Sequence, residues 1–184
     1  MKRKTAKEIL AESFREIAEA KPIDRITVKD VTENCGYSTA TFYRQFRDKY
    51  DLIAWAYSRD LEKILDRIAF DETSWMQTLL DAAMYYHVHR EYLANLLLNT
   101  NGYDSFIRNM TEINTNSLTR KILQAAKSDR LSEETEMPIR IYCCGSVYLT
   151  CEWILGKYGA EPSKLSEIYA LSLPEPLKQY LHEK

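Results

Sequence analysis

The sequence predicts an all-α protein, a small three-helix unit at the N-terminus followed by a larger helical body. Three observations carry this. Only 5 Gly and 5 Pro occur in 184 residues, too few for the many tight turns of a sandwich or barrel. Apolar residues recur at spacings of three and four, the period of a helix with one buried face. No segment reads as a convincing strand, and no internal repeat is visible. Hydrophobic residues at 45% and charged residues at 28% are globular proportions, which exclude a disordered or collagen-like chain. This length buries a real core.

The first helix is expected over about 5–20. Ala6, Leu10, Phe14 and Ile17 form one stripe, with Lys7, Glu8, Glu12, Arg15, Glu16 and Glu19 outside it. Lys21-Pro22 ends it, because the residue before proline is pushed out of the helical region. Thr27 opens a short second helix, its hydroxyl capping the start and Asp30 returning the bond. Val28, Val31 and Cys35 face inward, and Gly36 supplies the turn. Ser38 caps a third helix over about 39–46, and Asp48 a fourth running through Leu52, Ile53, Trp55 and Ala56 toward Leu61, Ile64 and Leu65. The spacing of the second and third helices about Gly36 is that of a helix-turn-helix.

In the body, Thr73 is expected to cap a helix over about 75–89, and a further apolar run follows at 92–98. A break at 99–102 precedes a helix over about 103–127 and a polar loop at 128–135. Pro138 is placed in the first turn of the next helix, where its missing N–H matters little. That helix is expected to reach about Tyr158 and stop at Gly159, with short helices at about 163–171 and 176–182 completing the chain.

The net charge of −2 conceals an uneven distribution. Residues 1–50 hold 11 Lys/Arg against 8 Asp/Glu, a balance of +3, and residues 51–184 hold 14 against 19, a balance of −5. A mildly basic head precedes an acidic body. Lys2, Arg3 and Lys4 lead into an amphipathic segment rather than an apolar run, so no secretory signal is read. No stretch approaches the roughly 18 apolar residues of a membrane span. Cys35, Cys143, Cys144 and Cys151 do not form a disulfide framework, and an intracellular, cytoplasmic setting is expected, with the thiols read as buried and structural.

The informative face is that of the third helix. At about 100° per residue, with Phe42 pointing inward, Phe46 falls near 40° while Ala40, Arg44 and Thr41 fall near 160°, 200° and 260°. Tyr43, near 100°, sits at the rim. Ser38, Thr39 and Ala40 are small enough to let backbone approach base edges, Thr41 offers a methyl and a hydroxyl, and Arg44 can reach guanine or phosphate. Tyr43, Lys49 and the N–H groups at Thr27 and Val28 are candidates for phosphates. Lys2, Arg3, Lys4 and Lys7 form a basic lead. A short amphipathic helix flanked by charge is also, commonly, a plain solvated surface.

The run from Ile26 to Lys49, with Gly36-Tyr37-Ser38, Thr41-Phe42-Tyr43, Phe46 and then Lys49, resembles the DNA-binding domain of TetR/AcrR-type transcriptional regulators. The likeness spans about residues 5–55. Cys35 and Tyr37 stand where alanine and valine are commoner, and Tyr50 where an acidic residue is frequent. The resemblance implies a helix-turn-helix DNA-binding domain at 1–50 and a helical regulatory and dimerisation domain at 51–184. It implies a homodimer, acting as a repressor on a palindromic operator of double-stranded DNA, with half-sites about 34–36 Å or a multiple apart. Dimer contacts are expected from Ile141, Gly145, Tyr148, Leu149, Glu152 and Trp153, though such a stripe serves equally as intramolecular core.

The resemblance also implies a small-molecule effector held by the body, for which Trp75, Tyr85, Tyr86, Tyr103 and Phe106 are candidates. Trp55, Tyr57, Phe70 and Tyr92 are further aromatics there, and an aromatic stripe is also ordinary core. The C-terminal part, around Phe106 and through Gly145 and Trp153-Ile154-Leu155-Gly156 to Ser163–Ile168, is similar to a subgroup typified by regulators of dihydroxyacetone kinase genes. That likeness implies a small pocket, or a protein coactivator in place of a diffusing ligand. His87 and His89 lie about 200° apart on their helix and do not grip one metal without His182 or a carboxylate. No cofactor and no catalytic motif is read. The rival reading is a helical protein-interaction module, or a coactivator-dependent activator, with weak DNA affinity.

Overall fold

Residues 4–69, 74–98 and 102–181 are described by the computed structural model. Every regular element among them is helical: α1 (Ala6–Ala18), α2 (Val28–Asn34), α3 (Thr39–Tyr43), α4 (Lys49–Ala69), α5 (Trp75–Val88), α6 (Arg90–Leu97), α7 (Gly102–Ala126), α8 (Glu133–Ile154), α9 (Pro162–Leu171) and α10 (Glu175–Lys178). A 3-10 turn, Ile23–Arg25, precedes α2. The all-α expectation therefore holds.

One apolar core runs the length of the molecule. Leu10 and Phe14 of α1, Val31 of α2 and Phe42 of α3 close the head against Leu52 and Ile53 of α4. The same helix carries the core onward through Leu61 and Leu65 to Leu79, Leu93, Met110 and Trp153 of the body. α4 lies along α7, and α5 packs on α9. A second, smaller cluster gathers Leu118, Ile122, Ile139, Leu173 and Leu177 where α7, α8 and α10 meet.

Helix ends follow from local chemistry. Thr5 caps α1 with Glu8 in a reciprocal box. α2 stops at Gly36, whose φ is +71°. There the Gly36 N–H donates to the Glu33 carbonyl at 3.3 Å and the Tyr37 N–H to the Thr32 carbonyl at 2.9 Å, the paired bonds of a Schellman end. A Cβ at Gly36 would meet nothing within 4 Å, so the requirement there is conformational and not steric. α8 ends by the same device at Gly156, φ +85°, with the Lys157 N–H donating to the Glu152 carbonyl at 3.0 Å.

The helices depart from expectation at several places. Ser74 caps α5, accepting the Gln77 N–H at 3.1 Å. α8 stops at Gly156 and not near Gly159, because only the former adopts the left-handed backbone that satisfies the last carbonyls. α8 also starts earlier, at Glu133, so Pro138 lies inside it rather than in its first turn. Glu133, Glu134 and Glu136 in that first turn favour the early start through the helix dipole. α3 is shorter than 39–46: the chain leaves the helix at Arg44, while Phe46 keeps its inward place. Lys2, Arg3, Phe70, Thr73, the break at 99–101 and His182 lie outside the described residues.

Gly36→Ala forces a Cβ into the left-handed region, at about 1–2 kcal/mol. A urea midpoint lowered accordingly, at unchanged slope, is the expected result.

Candidate nucleic-acid interface

The geometry of the head is set from beneath. The Thr27 side chain accepts the Asp30 N–H at 3.1 Å, and the Asp30 carboxylate accepts the Thr27 N–H and hydroxyl at 2.7 and 2.8 Å. Lys21 Nζ donates to the same carboxylate at 2.7 Å. These donors, Lys21 first, hold the Asp30 carboxyl well below the usual carboxylate range. α2 is then pinned to α1 through buried Ser13, whose hydroxyl donates to the Val31 carbonyl at 2.7 Å and accepts Asn34 Nδ2 at 3.0 Å.

On that base, Phe42 and Phe46 are both buried, their rings 5.7 Å apart, and Phe46 meets Trp55 at 5.9 Å. With its aromatics committed inward, α3 turns Ser38, Thr39, Ala40, Tyr43 and Arg44 to solvent. Tyr43 is 60% exposed and braced edge-on against Phe42. Half-buried Thr41 orients the arginine: Arg44 Nη2 donates to its hydroxyl at 3.0 Å, and Ser38 Oγ lies 3.1 Å from the same oxygen. A single polar ladder therefore runs along the outer face of α3. Ser38 also caps the helix, accepting the Thr41 N–H at 3.2 Å.

Several expected phosphate ligands are spent inside the subunit. Lys49 Nζ donates to the carbonyls of Ile23, Asp24 and Ile26 at 3.1, 2.9 and 3.0 Å. It is a strut that satisfies the turn before α2, and burial lowers its pKa. The Thr27 N–H is taken by Asp30. Lys7 stands over the Phe46 and Trp55 rings at 5.3 and 5.8 Å, and Lys4 pairs with Glu12 at 2.7 Å. Lys29, not singled out in the sequence, is exposed on α2, 3.6 Å from Glu33. No periodicity marks such a residue as functional.

In the body, Trp75 and Tyr86 line a cavity of about 40 Å³ between α4, α5, α7, α8 and α9. Tyr85, Tyr103 and Phe106 do not. Tyr85 packs on Tyr57 and His89, its hydroxyl 3.4 Å from Asp60 Oδ2, the carboxylate oxygen that also takes Arg15 Nη2 at 2.6 Å. Phe106 is plain core against Tyr86, and half-buried Tyr103 packs on the same core elsewhere. The remaining lining includes Asn114, Ser146, Thr150, Tyr142 and Tyr169. Tyr142 donates to the Tyr169 carbonyl at 2.9 Å, and the hydroxyls of Thr150 and Tyr169 are 2.6 Å apart. Asn114, Ser146 and Thr150 are not aromatic, so a search for aromatic residues does not find them.

α8 has two distinct faces. Ile141, Gly145 and Tyr148 are exposed, with Met137 and Cys144 beside them. Leu149 is half-buried against the main core, and Glu152 is held by Lys157 and by Tyr158 Oη at 3.2 Å. Trp153 does not belong to the outer stripe: it is 1% exposed and donates Nε1–H to the Ala160 carbonyl at 2.7 Å. Cys143 and Cys151 are buried, and burial pushes each thiol up to about 12. Cys144 is exposed, against the expectation that all three were interior. Among the described residues no metal-binding cluster occurs, and no helix is long and apolar enough to cross a membrane.

A helix held by buried aromatics, set across a glycine turn from a capped partner and offering small and polar groups outward, is a helix-turn-helix DNA-binding unit. Residues 9–55 match the family model for bacterial regulatory proteins of the tetR family, so this segment is a DNA-binding domain of that family's type. No curated protein sequence matches significantly. Among solved structures, the fold is similar to the dihydroxyacetone kinase operon activator DhaS (19% identity, TM-score 0.60, 96% of this chain and 98% of that one). It is also similar to the TetR family repressor AlkX from Dietzia sp. strain DQ12-45-1b (14%, 0.68, 99% and 100%). A third is Thermus thermophilus FadR, a TetR family repressor in complex with lauroyl-CoA (13%, 0.59, 97% and 96%). At these identities the likeness is one of fold.

Lys49→Met removes three donors from main-chain carbonyls and is expected to lower stability by about 1–2 kcal/mol, read by thermal unfolding of the free protein. A lysine reserved for DNA would leave the midpoint unchanged.

Proposed function

We propose that this protein is a cytoplasmic transcriptional regulator that binds a palindromic operator as a homodimer through α3 and acts as a repressor. The observation that carries the reading is the outer face of α3: exposed Ser38, Thr39, Ala40, Tyr43 and Arg44 over buried Phe42 and Phe46. Thr39 and Ala40 allow close approach, Arg44 is the base-reading or phosphate-binding cation, and Tyr43 is placed for a phosphate. The head, residues 1–50, does the DNA work. The body, 51–184, regulates and dimerises. Repression is the simplest output, since a bound dimer overlapping a promoter excludes polymerase by volume alone.

Dimerisation is supported by α8. Ile141 is 70% and Tyr148 53% exposed, and on α9 Leu171 is 79% exposed. Between them Gly145 sits in mid-helix, and a Cβ there would meet nothing within 4 Å. Mid-helix glycine is less stable than alanine by roughly 0.5–1 kcal/mol. Among the described residues nothing within the chain explains that concession, whereas the close approach of a second α8 does. We propose Ile141, Gly145, Tyr148 and the exposed edge of Leu149 as the contact, with Glu152 at its rim.

We propose the body cavity as the site of the effector. AlkX, implicated in n-alkane biodegradation, and the lauroyl-CoA complex of FadR would suggest long acyl ligands by analogy. A cavity of about 40 Å³ holds only a few atoms, so such a ligand does not fit.

A gel-shift titration against the chain's own upstream DNA at several salt concentrations tests the reading. Specific binding should weaken with salt according to the phosphates neutralised. No shift at low salt favours the rival protein-interaction module. Arg44→Ala should weaken the preferred site about 10-fold or more relative to random DNA if the guanidinium reads a base; an equal loss on all sequences assigns it to phosphate. Ile141→Glu should yield monomers in sedimentation and abolish the specific shift, while a fully dimeric variant would remove α8 from the interface.

A further inference from the structure

The body cavity is bounded by apolar side chains from α4, α5, α7 and α8, among them Leu65, Leu79, Ala83, Leu118 and Val147. Among the described residues, no Asp, Glu, Lys, Arg or His lines it. A carboxylate, phosphate or ammonium entering it would lose its hydration and gain no counter-charge, a penalty that excludes ionised ligands. Size excludes large ones. About 40 Å³ is room for roughly three waters, or for a compact organic molecule of a few heavy atoms once side chains relax.

Polarity singles out one wall. Trp75 lines the cavity, and its Nε1 is buried yet, among the described residues, meets no acceptor. Indole nitrogen is a donor only, and buried donors are normally satisfied. The neighbouring hydroxyls behave otherwise: Ser146 donates to the Tyr142 carbonyl at 2.7 Å and Thr150 to the Ser146 carbonyl at 2.8 Å. These two hydroxyls are therefore already paired, whereas the Trp75 donor still lacks an acceptor among the described residues.

We infer that the cavity binds a small uncharged compound carrying a carbonyl or similar oxygen, which accepts the Trp75 Nε1–H while its short apolar part lies against Leu79, Ala83 and Val147. This deepens the regulator reading, on which it rests, by naming the ligand class. The site shares α8 with the outer stripe: Cys143 and Val147 line the cavity, while Ile141, Gly145 and Tyr148 face out. Occupancy pushes on the helix proposed to carry the dimer contact.

The test uses the full chain, uniformly 15N-labelled, without DNA. Its three tryptophans give three indole resonances, and that of Trp75 is assigned by its loss in Trp75→Phe. Propionamide and propionate are titrated in parallel, being equal in heavy atoms and different in charge, with acetone as a second neutral probe. The expected result is a saturable shift of the Trp75 indole by propionamide or acetone in about the millimolar range, at least 10-fold weaker with propionate, and little change at Trp55 and Trp153. Ala83→Leu, which fills the cavity, should abolish the response; if that variant does not fold, Ala82→Val serves, with a weakened response expected. Equal response to propionate overturns the inference. So does a Trp75 resonance that no neutral probe moves, which would mean the donor is satisfied by water only. All these readings are made on free protein, so they stand or fall separately from the gel shift.

Discussion

α4 is the element on which both halves of the molecule depend. Its first turns supply Leu52 and Ile53 to the head, and without them Phe14, Phe42 and Phe46 would face water. Its later turns supply Leu61 and Leu65 to the body. A continuous helix of 21 residues cannot bend sharply without a proline, a glycine or a bulge, and none of the first two occurs within it. The orientation of α3 is thus referred, through one rigid rod, to the packing of α7 along that rod. Arg15 adds a polar cross-tie, reaching from α1 to Asp60 and to the Ala56 carbonyl at 2.9 Å.

The head was largely legible in the sequence because its determinants are local. Thr27 with Asp30, Gly36 and Ser38 are capping and turn signals that act within a few residues, and the Phe42–Phe46 spacing decides which side of a short helix is buried. What could not be read was which cations were free. Lys49 looks from sequence like any lysine at a helix start. Only the fold brings it beside three carbonyls more than twenty residues earlier in the chain.

The body was legible in outline and poorly in detail. Helices over about 75–89 and 103–127 emerge near their expected positions, but the aromatic residues divided in a way no pattern foretold. Trp75 and Tyr86 face a cavity, Phe106 fills core, and Tyr85 joins Asp60 and Arg15 at the junction of head and body. Each lies on a helix contacting two or more others, so periodicity assigns a face without naming the neighbour. The same ambiguity explains Trp153, which shares the apolar character of α8 but points into the subunit.

Arg90 ties two parts of the body together with unusual economy. Its Nε and Nη2 donate to the carbonyls of Ile154 and Trp153, both at 3.0 Å, and its guanidinium lies 5.7 Å from the Trp153 ring. The side chain belongs to the first residue of α6, and the carbonyls belong to the last turn of α8. A planar fork gripping two successive carbonyls resists rotation as well as separation. The end of α8 and the start of α6 are therefore clamped to one another, so that a tilt of the former would carry the latter with it.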